Sequence, residues 1–184
     1  MDITIICSDK THKIFPYIEK WVIKNEKDHN TSLITESKDI TKGDILFLIS
    51  CTEIIGIEIR EKFKQTLVIH ESDLPNGRGW SPLVWQLIHG SNRIPITLLD
   101  AADKVDSGDI WKKEFVMLEG HEIVDEINEK IFPVKLKLMD FAIKNIDSIK
   151  KIPQQGEPSY YPRRNPEDNE LNVRLSRNHQ DFTR

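Results

Sequence analysis

Residues 45–50, ILFLIS, form an unbroken apolar run that ends at a serine. A short run of this kind, without polar alternation, is typical of a β-strand that is buried on both faces of a helix-covered sheet. Gly43 and Asp44 stand just before the run and mark its beginning. We therefore place a central strand here and interpret the flanking segments relative to it.

Segments with strand-like and helix-like patterns alternate on both sides of this run. Short apolar or β-branched runs predict further strands at residues 3–7, 31–35, 66–69, 94–99 and 109–116. Apolar residues at helical spacing predict helices at residues 12–24, 53–63, 82–89 and 122–146, the last with a break or kink near Pro133. This order predicts an α/β fold with a Rossmann-like, doubly wound, mostly parallel sheet and helices on both faces.

The composition divides the chain at about residue 152. Residues 1–152 contain all of the predicted strands and helices, and we expect them to form one domain. Residues 153–184 are rich in Pro, Asn, Arg and Glu and poor in apolar residues. This segment is predicted to be an extended C-terminal tail that packs on the domain or is partly disordered.

Charge balance and cysteine usage narrow the class of protein. The chain has 184 residues with 26 basic and 30 acidic side chains, a net charge of −4. Since domains held to nucleic acid by phosphate contacts are usually basic, we expect no nucleic-acid partner. No apolar run approaches the roughly 18 residues of a membrane span, and the N-terminus enters a strand pattern directly. Cys7 and Cys51 lack the spacing of a metal site or a disulfide framework, so we predict buried thiols, no metal and a cytoplasmic location.

The strongest functional signal is the segment of residues 68–82, VIHESDLPNGRGWSP. An apolar strand ends at His70, and a loop punctuated by proline and glycine follows it. In an open α/β sheet, ligands collect at the carboxyl ends of strands. A histidine at such a position can exchange a proton near neutral pH, so His70 is a candidate catalytic residue.

A second polar turn, residues 104–110 with the sequence KVDSGDI, follows the strand predicted at residues 94–99. We therefore expect it at the same crevice, where Gly108 would allow a tight turn that presents Asp106 inward. An ionised aspartate beside a histidine holds the imidazole in one tautomer and stabilises the imidazolium. Each motif alone is more often structural than catalytic, so the hypothesis depends on the two side chains meeting.

Two common nucleotide chemistries are disfavoured by the turn after the first strand. Residues 8–11, SDKT, contain no glycine. Dinucleotide binding needs glycines here so that the backbone can approach a pyrophosphate, and no Walker loop is present either. An NAD-dependent enzyme and an ATPase are therefore poor interpretations of this sheet.

Taken in order, the two motifs resemble the formyltransferase family that uses formyltetrahydrofolate. The residues that match its histidine block and its Val-Asp-x-Gly turn are His70, Ser72, Leu74, Pro75, Arg78, Gly79, Val105, Asp106 and Gly108. The tryptophans around residue 80 and the segment 160–168 look most like the sugar N-formyltransferase branch. The resemblance implies a cytoplasmic enzyme that formylates the amine of a dTDP- or UDP-linked amino-dideoxy sugar, for a surface glycan such as the O-antigen of lipopolysaccharide.

The resemblance also implies roles for individual residues. His70 would move the amine proton and stabilise the oxyanion, and Asp106 would orient and support it. Contacts to the folate are implied for Ser50, Cys51, Thr52, Glu53, Ile54 and Asp109, and contacts to the acceptor for Ser72, Asp73, Arg78, Trp80, Tyr160, Tyr161 and Arg163. For these contacts a plain structural role is the alternative: a strand-to-helix connection, loop packing, or aromatic and arginine side chains that only pin the tail. A homodimer is a further expectation.

One position departs from the family pattern. Val68 stands two residues before the histidine, where the family has an asparagine whose amide holds the formyl oxygen. A valine side chain can neither donate nor accept a hydrogen bond, and losing one oxyanion donor costs on the order of 100- to 1000-fold in rate. Ser72 and Asn76 are the nearest polar candidates for the role. The alternative hypothesis is therefore an impaired or truncated family member that only binds folate or the nucleotide sugar.

Overall fold

The computed structural model describes residues 1–169 and contains a six-stranded sheet and a separate two-stranded one. The part of the predicted tail at residues 170–184 lies outside the described residues. The large sheet consists of β1 (Asp2–Ile6), β2 (Asn30–Ile34), β3 (Gly43–Leu48), β4 (Phe63–His70), β6 (Arg93–Asp100) and β7 (Ile110–Met117), and the small sheet of β5 (Arg78–Gly79) and β8 (Tyr160–Tyr161). The helices are α1 (Phe15–Asn25), α2 (Ile57–Arg60), α3 (Pro82–Ile88) and α4 (Val124–Asn145), with short 3-10 helices at Ser37–Asp39 and Pro166–Asn169.

The large sheet has the strand order β2-β1-β3-β4-β6-β7. Strands β2, β1, β3 and β4 are parallel, whereas β6 runs antiparallel to β4, and β7 antiparallel to β6. The chain leaves β1 for β2 on one side and reaches β3 on the other, so the sheet switches direction between β1 and β3. The predicted α/β fold with a mostly parallel, doubly wound sheet is confirmed.

The two faces of the sheet are covered unequally. Helices α1 and α4 pack on one face and enclose the larger apolar core, in which Phe47 and Leu138 are fully buried. The other face has a smaller cluster that includes Leu46 and Phe63, covered by the single turn of α2 and by loops. The second face therefore leaves room for the loops that carry polar side chains.

Two of the predicted helices differ in detail from the observed ones. The helix expected at residues 53–63 is only the turn Ile57–Arg60, because Gly56 is extended and Ile55 inserts into the second apolar cluster. Of the break or kink expected near Pro133, the break does not occur, since α4 continues through this residue from Val124 to Asn145. A proline costs a helix one backbone hydrogen bond, and here the burial of the surrounding helix face outweighs that loss.

The second polar turn was expected at the same crevice as His70 because it follows the strand β6. This reason is wrong, since β6 runs antiparallel to β4 and ends at the opposite edge of the sheet. Asp100, at the end of β6, pairs with Leu67, whereas His70 pairs with Thr97. The loop after β6 therefore starts about 10 Å below the level of His70, at roughly 3.3 Å per residue. Ala101 confirms this start, because its N–H donates to the Thr66 carbonyl at 2.8 Å. From there the loop has to return across the face of the sheet.

The chain after α4 comes back to the same face. The backbone of Ile152 forms a two-way bridge with that of Ile110, at 2.8 and 2.9 Å. A few residues later β8 pairs in parallel with β5, Tyr160 opposite Arg78. Within residues 1–169, no helix is both long and apolar enough to cross a membrane.

Candidate active site

His70 and Asp106 meet on this face of the sheet. His70 is the last residue of β4, and its Nδ1 lies 3.6 Å from Oδ2 of Asp106. The two side chains retain 8% and 9% of their exposure, so the pair is largely shielded from water. The juxtaposition agrees with the sequence prediction, although Asp106 arrives across the sheet face rather than at a shared strand edge.

The loop of residues 77–79 holds both members of the pair. The Gly77 carbonyl lies 2.8 Å from His70 Nε2 and can only accept, so Nε2 carries a hydrogen and Nδ1 faces Asp106. The N–H of Gly79 donates to Asp106 Oδ2 at 2.9 Å. The imidazole orientation and the carboxylate position are thus set by backbone groups, which leaves Nδ1 available to take up or release a proton beside a carboxylate.

The backbone at Gly108, two residues after Asp106, lies too close to β6 for any side chain to fit. A Cβ atom on Gly108 would lie 1.9 Å from the carbonyl oxygen of Asp100, far inside contact distance. Asp106 itself has φ of +52°, in the left-handed region that non-glycine residues seldom occupy. The turn is therefore pressed against the end of β6 in a conformation that directs the Asp106 side chain toward His70.

The segment predicted to contact folate lies at the carboxyl end of β3. Because Leu48 pairs with Val68, Ser50 is level with His70 on the neighbouring strand. The N–H of Thr52 donates to Ser8 Oγ at 3.0 Å, and Glu53 is tied to the backbone of Ser37. The segment of residues 50–54, which includes the exposed side chain of Ile54, forms a lip at the edge of the sheet beside the end of β4.

The residues predicted to contact folate differ in exposure and in their contacts. The side chain of Ile54 is 87% exposed, whereas Cys51 is half-buried, so only Cys7 of the two predicted thiols is fully buried. Asp109 contributes its carbonyl, which accepts from the Asp100 N–H at 2.9 Å. Glu53 and Asp109 therefore have structural contacts of their own in this arrangement.

Arg78 does not present the free guanidinium that the sequence prediction assigned to a phosphate. It is buried, donates to Gln154 Oε1 at 2.6 Å and lies over the ring of Tyr160 at 6.0 Å. Tyr161 is stacked against Trp85 with 12° between the ring planes. The pairing of β5 with β8 uses these side chains to pin the tail, which is the structural alternative considered above.

The exposed part of the predicted acceptor set is different. Trp80 is exposed, and the guanidinium of Arg163 stands 4.9 Å from its ring centre. Asp73 forms an ion pair with Lys113 at 2.5 Å, and its side chain is exposed. The side chains of this set that remain open to a ligand are thus Asp73, Trp80, Tyr160 and Arg163.

Ser72 is unusual because its hydroxyl is buried without a hydrogen-bond partner among the described residues. The residue is 2% exposed, and its carbonyl accepts from Thr97 Oγ1 at 2.7 Å, which fixes its backbone. A buried unsatisfied hydroxyl is rare and needs an explanation such as a water or a substrate contact. Asn76, the other candidate to replace the missing asparagine, is exposed.

Two polar features next to the site were missed from the sequence. Glu71 forms a buried ion pair with Lys135 of α4 on the face opposite His70. Lys135 falls on the same helix stripe as Ile131 and Met139, four residues away on either side, and a lysine on an apolar stripe was the available signal. Burial raises the pKa of Glu71, but the charge and hydrogen bond of Lys135 more than offset this and hold the pKa below its ordinary value.

The other missed residue is His12, in the turn after β1. Its Nδ1 accepts from the Ile14 N–H at 3.1 Å, which leaves the hydrogen on Nε2, 3.4 Å from Ser50 Oγ. Burial, and next the positive charge of Lys135, lower the pKa of His12. His12 is therefore a neutral hydrogen-bond donor at pH 7, directed at the lip that begins with Ser50.

Comparisons with known proteins identify the family of this chain. The family model described as "Formyl transferase" matches residues 6–142, a span that includes His70, Asp106 and the loops that hold them. The chain belongs to the formyltransferase family, as the sequence motifs predicted.

Curated relatives and solved structures show how far the likeness extends. Methionyl-tRNA formyltransferase of Rickettsia prowazekii (strain Madrid E) is 32% identical over 120 residues, which are 65% of this chain and 40% of that protein. The chain thus spans about two fifths of the length of this relative. Methionyl-tRNA formyltransferase from Clostridium thermocellum has a TM-score of 0.79 at 26% identity, over 94% of this chain and 76% of that chain.

A sugar-modifying enzyme shares the fold at lower identity. The formyltransferase PseJ from Anoxybacillus kamchatkensis was solved in complex with UDP-4,6-dideoxy-4-formamido-L-AltNAc and tetrahydrofolate. It has a TM-score of 0.68 at 17% identity, over 88% of this chain and 85% of that chain. At this identity the match establishes a common fold.

Proposed function

We propose that this protein transfers a formyl group from formyltetrahydrofolate to the amine of a nucleotide-linked amino sugar. The observation that carries the proposal is the approach of His70 Nδ1 to Asp106 Oδ2, 3.6 Å apart, in a chain that belongs to the formyltransferase family. The reaction needs a group that manages a proton, donors for an oxyanion and a cleft for two substrates. The shielded His70–Asp106 pair supports the first requirement, and the residues around it are the candidates for the other two.

In the proposed reaction the acceptor nitrogen attacks the formyl carbon, and a new C–N bond forms. The tetrahedral oxyanion then collapses, the bond from carbon to the folate nitrogen breaks, and that nitrogen receives a proton in exchange for the one lost by the amine. His70 is the group proposed to carry this proton, with Asp106 stabilising the imidazolium. The orphaned hydroxyl of Ser72 is the proposed donor to the oxyanion in place of the amide that Val68 lacks.

The formyl donor is proposed to lie along the lip at the end of β3. The backbone of residues 50–54 is largely irregular there, so its N–H and carbonyl groups can pair with a planar heterocycle. The exposed side chain of Ile54 provides apolar surface, and His12 provides a fixed N–H donor. The formyltetrahydrofolate supplies the electrophilic carbon when it is bound.

The preference for a sugar acceptor rests on the open aromatic and basic side chains. Trp80, Arg163 and Tyr160 offer a stacking face beside a guanidinium, a combination that suits a nucleotide. A net charge of −4 over the chain does not favour a polyanionic acceptor such as tRNA. The free thiols of Cys7 and Cys51 support the cytoplasmic location proposed for such an enzyme.

Methionyl-tRNA is the second candidate acceptor, because the Rickettsia and Clostridium relatives described above both carry that name. An assay with a panel of acceptors distinguishes methionyl-tRNA from a sugar nucleotide as the acceptor. The protein is incubated with formyltetrahydrofolate and, in parallel, with dTDP- and UDP-linked amino sugars or with methionyl-tRNA, and the product is read by the mass of one added formyl group. Formylation of a sugar nucleotide supports the proposal, whereas formylation of methionyl-tRNA alone replaces it.

The same panel tests the impaired-enzyme alternative that Val68 suggests. Binding of tetrahydrofolate, measured by calorimetry, together with no turnover of any acceptor would favour a family member that only binds its ligands. Turnover that is lost in the Ser72→Ala variant, with tetrahydrofolate binding retained, would support Ser72 as the replacement donor.

A further inference from the structure

The side-chain amide of Gln154 connects the two loops that hold the catalytic pair. Its Nε2 donates to the carbonyls of Asp106 and Gly108, both at 2.8 Å. Its Oε1 accepts from Arg78, from Nη2 at 2.6 Å and from Nε at 3.3 Å. One half-buried glutamine thus uses both amide hydrogens and its oxygen to join segments that are far apart in the chain.

These contacts converge on the geometry of the pair. On one side the amide holds the backbone of the strained turn that presents Asp106. On the other it holds Arg78, whose neighbours Gly77 and Gly79 contact His70 Nε2 and Asp106 Oδ2. A shift of Gln154 would therefore move both partners of a 3.6 Å contact at once.

The position of Gln154 is itself well determined. The two-way backbone bridge between Ile152 and Ile110 lies two residues before it. Ser159 completes the attachment five residues later, since its Oγ accepts from the Gly77 N–H at 2.9 Å. The segment between these anchors is thus attached at both ends to the loops around the site.

Only an amide satisfies all of these partners. Two carbonyl oxygens require donors, and the guanidinium of Arg78 requires an acceptor. A glutamate of the same shape would keep the arginine contact but place a carboxylate against the two carbonyls. A methionine of similar volume would lose both sets of hydrogen bonds.

We propose that Gln154 is a positioning residue that sets the distance and orientation of Asp106 relative to His70. The inference rests on the proposed formyl transfer and adds to it a residue outside the motifs that define the family resemblance. Its role is indirect, because Gln154 contacts the backbone of the Asp106 turn rather than the imidazole or the carboxylate. The consequence is an effect on the chemical step rather than on substrate affinity.

The test compares Gln154→Glu with Gln155→Glu, the same change at the exposed neighbouring residue. We expect Gln154→Glu to lower kcat by roughly 10- to 100-fold with little change in KM, since misplacing a reacting group by about 1 Å can cost about 100-fold. Gln155→Glu should leave both constants unchanged. An unchanged kcat in a folded Gln154→Glu protein overturns the inference, and so does an equal loss in both variants.

A second measurement keeps the inference separate from the proposed function. The nitrogen chemical shifts of the His70 ring, assigned by their disappearance in His70→Gln, report the surroundings of the imidazole without any substrate. We expect Gln154→Glu to change these shifts and Gln155→Glu to leave them as in the wild type. If no acceptor is ever formylated, the proposed function fails while the ring shifts still decide the role of Gln154.

Gln154→Met provides the fallback if the glutamate variant does not fold. It introduces no charge and keeps the side-chain length, so a changed His70 ring spectrum in this variant supports positioning by the amide. An unchanged His70 spectrum in folded Gln154→Met overturns it, because the amide would then have no influence on the pair.

Discussion

His70 and Glu71 are adjacent in the chain, yet each forms an acid–base pair on a different face of the sheet. His70 approaches Asp106 at 3.6 Å and is otherwise held by backbone groups. Glu71 is in direct contact with Lys135, and the two are enclosed between the sheet and α4. In the first pair, His70 Nδ1 and Asp106 Oδ2 are not in hydrogen-bond contact, so the ring nitrogen is open to a proton. In the second pair the two charged groups contact each other directly and stabilise the packing of α4 on the sheet. Burial and opposite charge alone therefore do not distinguish a reactive pair from a structural one.

The largest expected effect concerns the reactive pair. We expect His70→Gln to lower kcat by about 100- to 10,000-fold, the usual contribution of a positioned acid–base group, with Asp106→Asn close behind. Gln and Asn are close in size to the residues they replace and keep polar groups toward the Gly77 carbonyl and the Gly79 N–H, so the thermal unfolding midpoint should stay near that of the wild type. Formyl transfer and differential scanning calorimetry, measured on the same samples, check both statements.

Asp103→Asn is the matched control for these variants. Asp103 lies in the same loop, is exposed and pairs with Arg60. Its substitution should leave formyl transfer intact. Full activity in both Asp106→Asn and Asp103→Asn would refute the role assigned to the His70–Asp106 pair.

The structural pair should behave in the opposite way. Lys135→Met leaves the Glu71 carboxylate buried without its partner, which typically costs about 3–5 kcal/mol of the free energy of unfolding. Lys137→Met on the exposed side of the same helix breaks only a surface pair with Glu114, worth at most about 1 kcal/mol. Urea denaturation of both variants measures the difference. Equal stabilities would contradict the distinction between the two pairs.

The pH dependence of stability follows from the same pair. The pKa of Glu71 in the folded protein lies below its ordinary value of 4.5. The ionised carboxylate therefore contributes stability that is fully present above that value and is lost as pH falls through the folded-state pKa. We expect the stability difference between the wild type and the double variant Glu71→Gln/Lys135→Met to shrink on acidification below about pH 4.5. A difference that grows in acid would contradict the sign.

The meeting of His70 with Asp106 was predictable, but for a partly wrong reason. The strand pattern located both motifs, whereas the antiparallel direction of β6 has no local signature and emerges only from its pairing with β4. Gln154 gave no signal at all, because its partners lie 46, 48 and 76 residues away in the chain. Lys135 did carry one, as a lysine on an apolar helix stripe. The local sequence pattern thus located the two groups proposed to react, and long-range contacts determine what holds them in place.

A smaller effect is expected from the turn that carries Asp106 across the sheet face. Gly108→Ala would push a Cβ into the Asp100 carbonyl, so the turn has to move. A shift of this kind typically costs about 1–3 kcal/mol of stability. We expect about a tenfold loss of kcat as well, since misplacement of a reacting group lowers the rate. Gly120→Ala is the control, because no atom lies within 4 Å of a Cβ built there. The positive φ of Gly120 makes an alanine strained there, but the residue is remote from the His70–Asp106 pair. The kcat of the Gly120→Ala variant should therefore not change.

The smallest effect is expected at the rim on the His70 side, where Trp80 and Arg163 remain open to a ligand. Stacking of a planar ring on an aromatic side chain is worth about 0.5–1.5 kcal/mol, so losing the tryptophan face should raise the KM for the proposed sugar nucleotide about two- to tenfold. The KM for formyltetrahydrofolate and kcat should both stay unchanged in Trp80→Ala, because the His70–Asp106 pair is not touched. Steady-state kinetics with each substrate varied in turn makes the measurement. A loss confined to kcat would mean that Trp80 supports the loop around His70 rather than the acceptor.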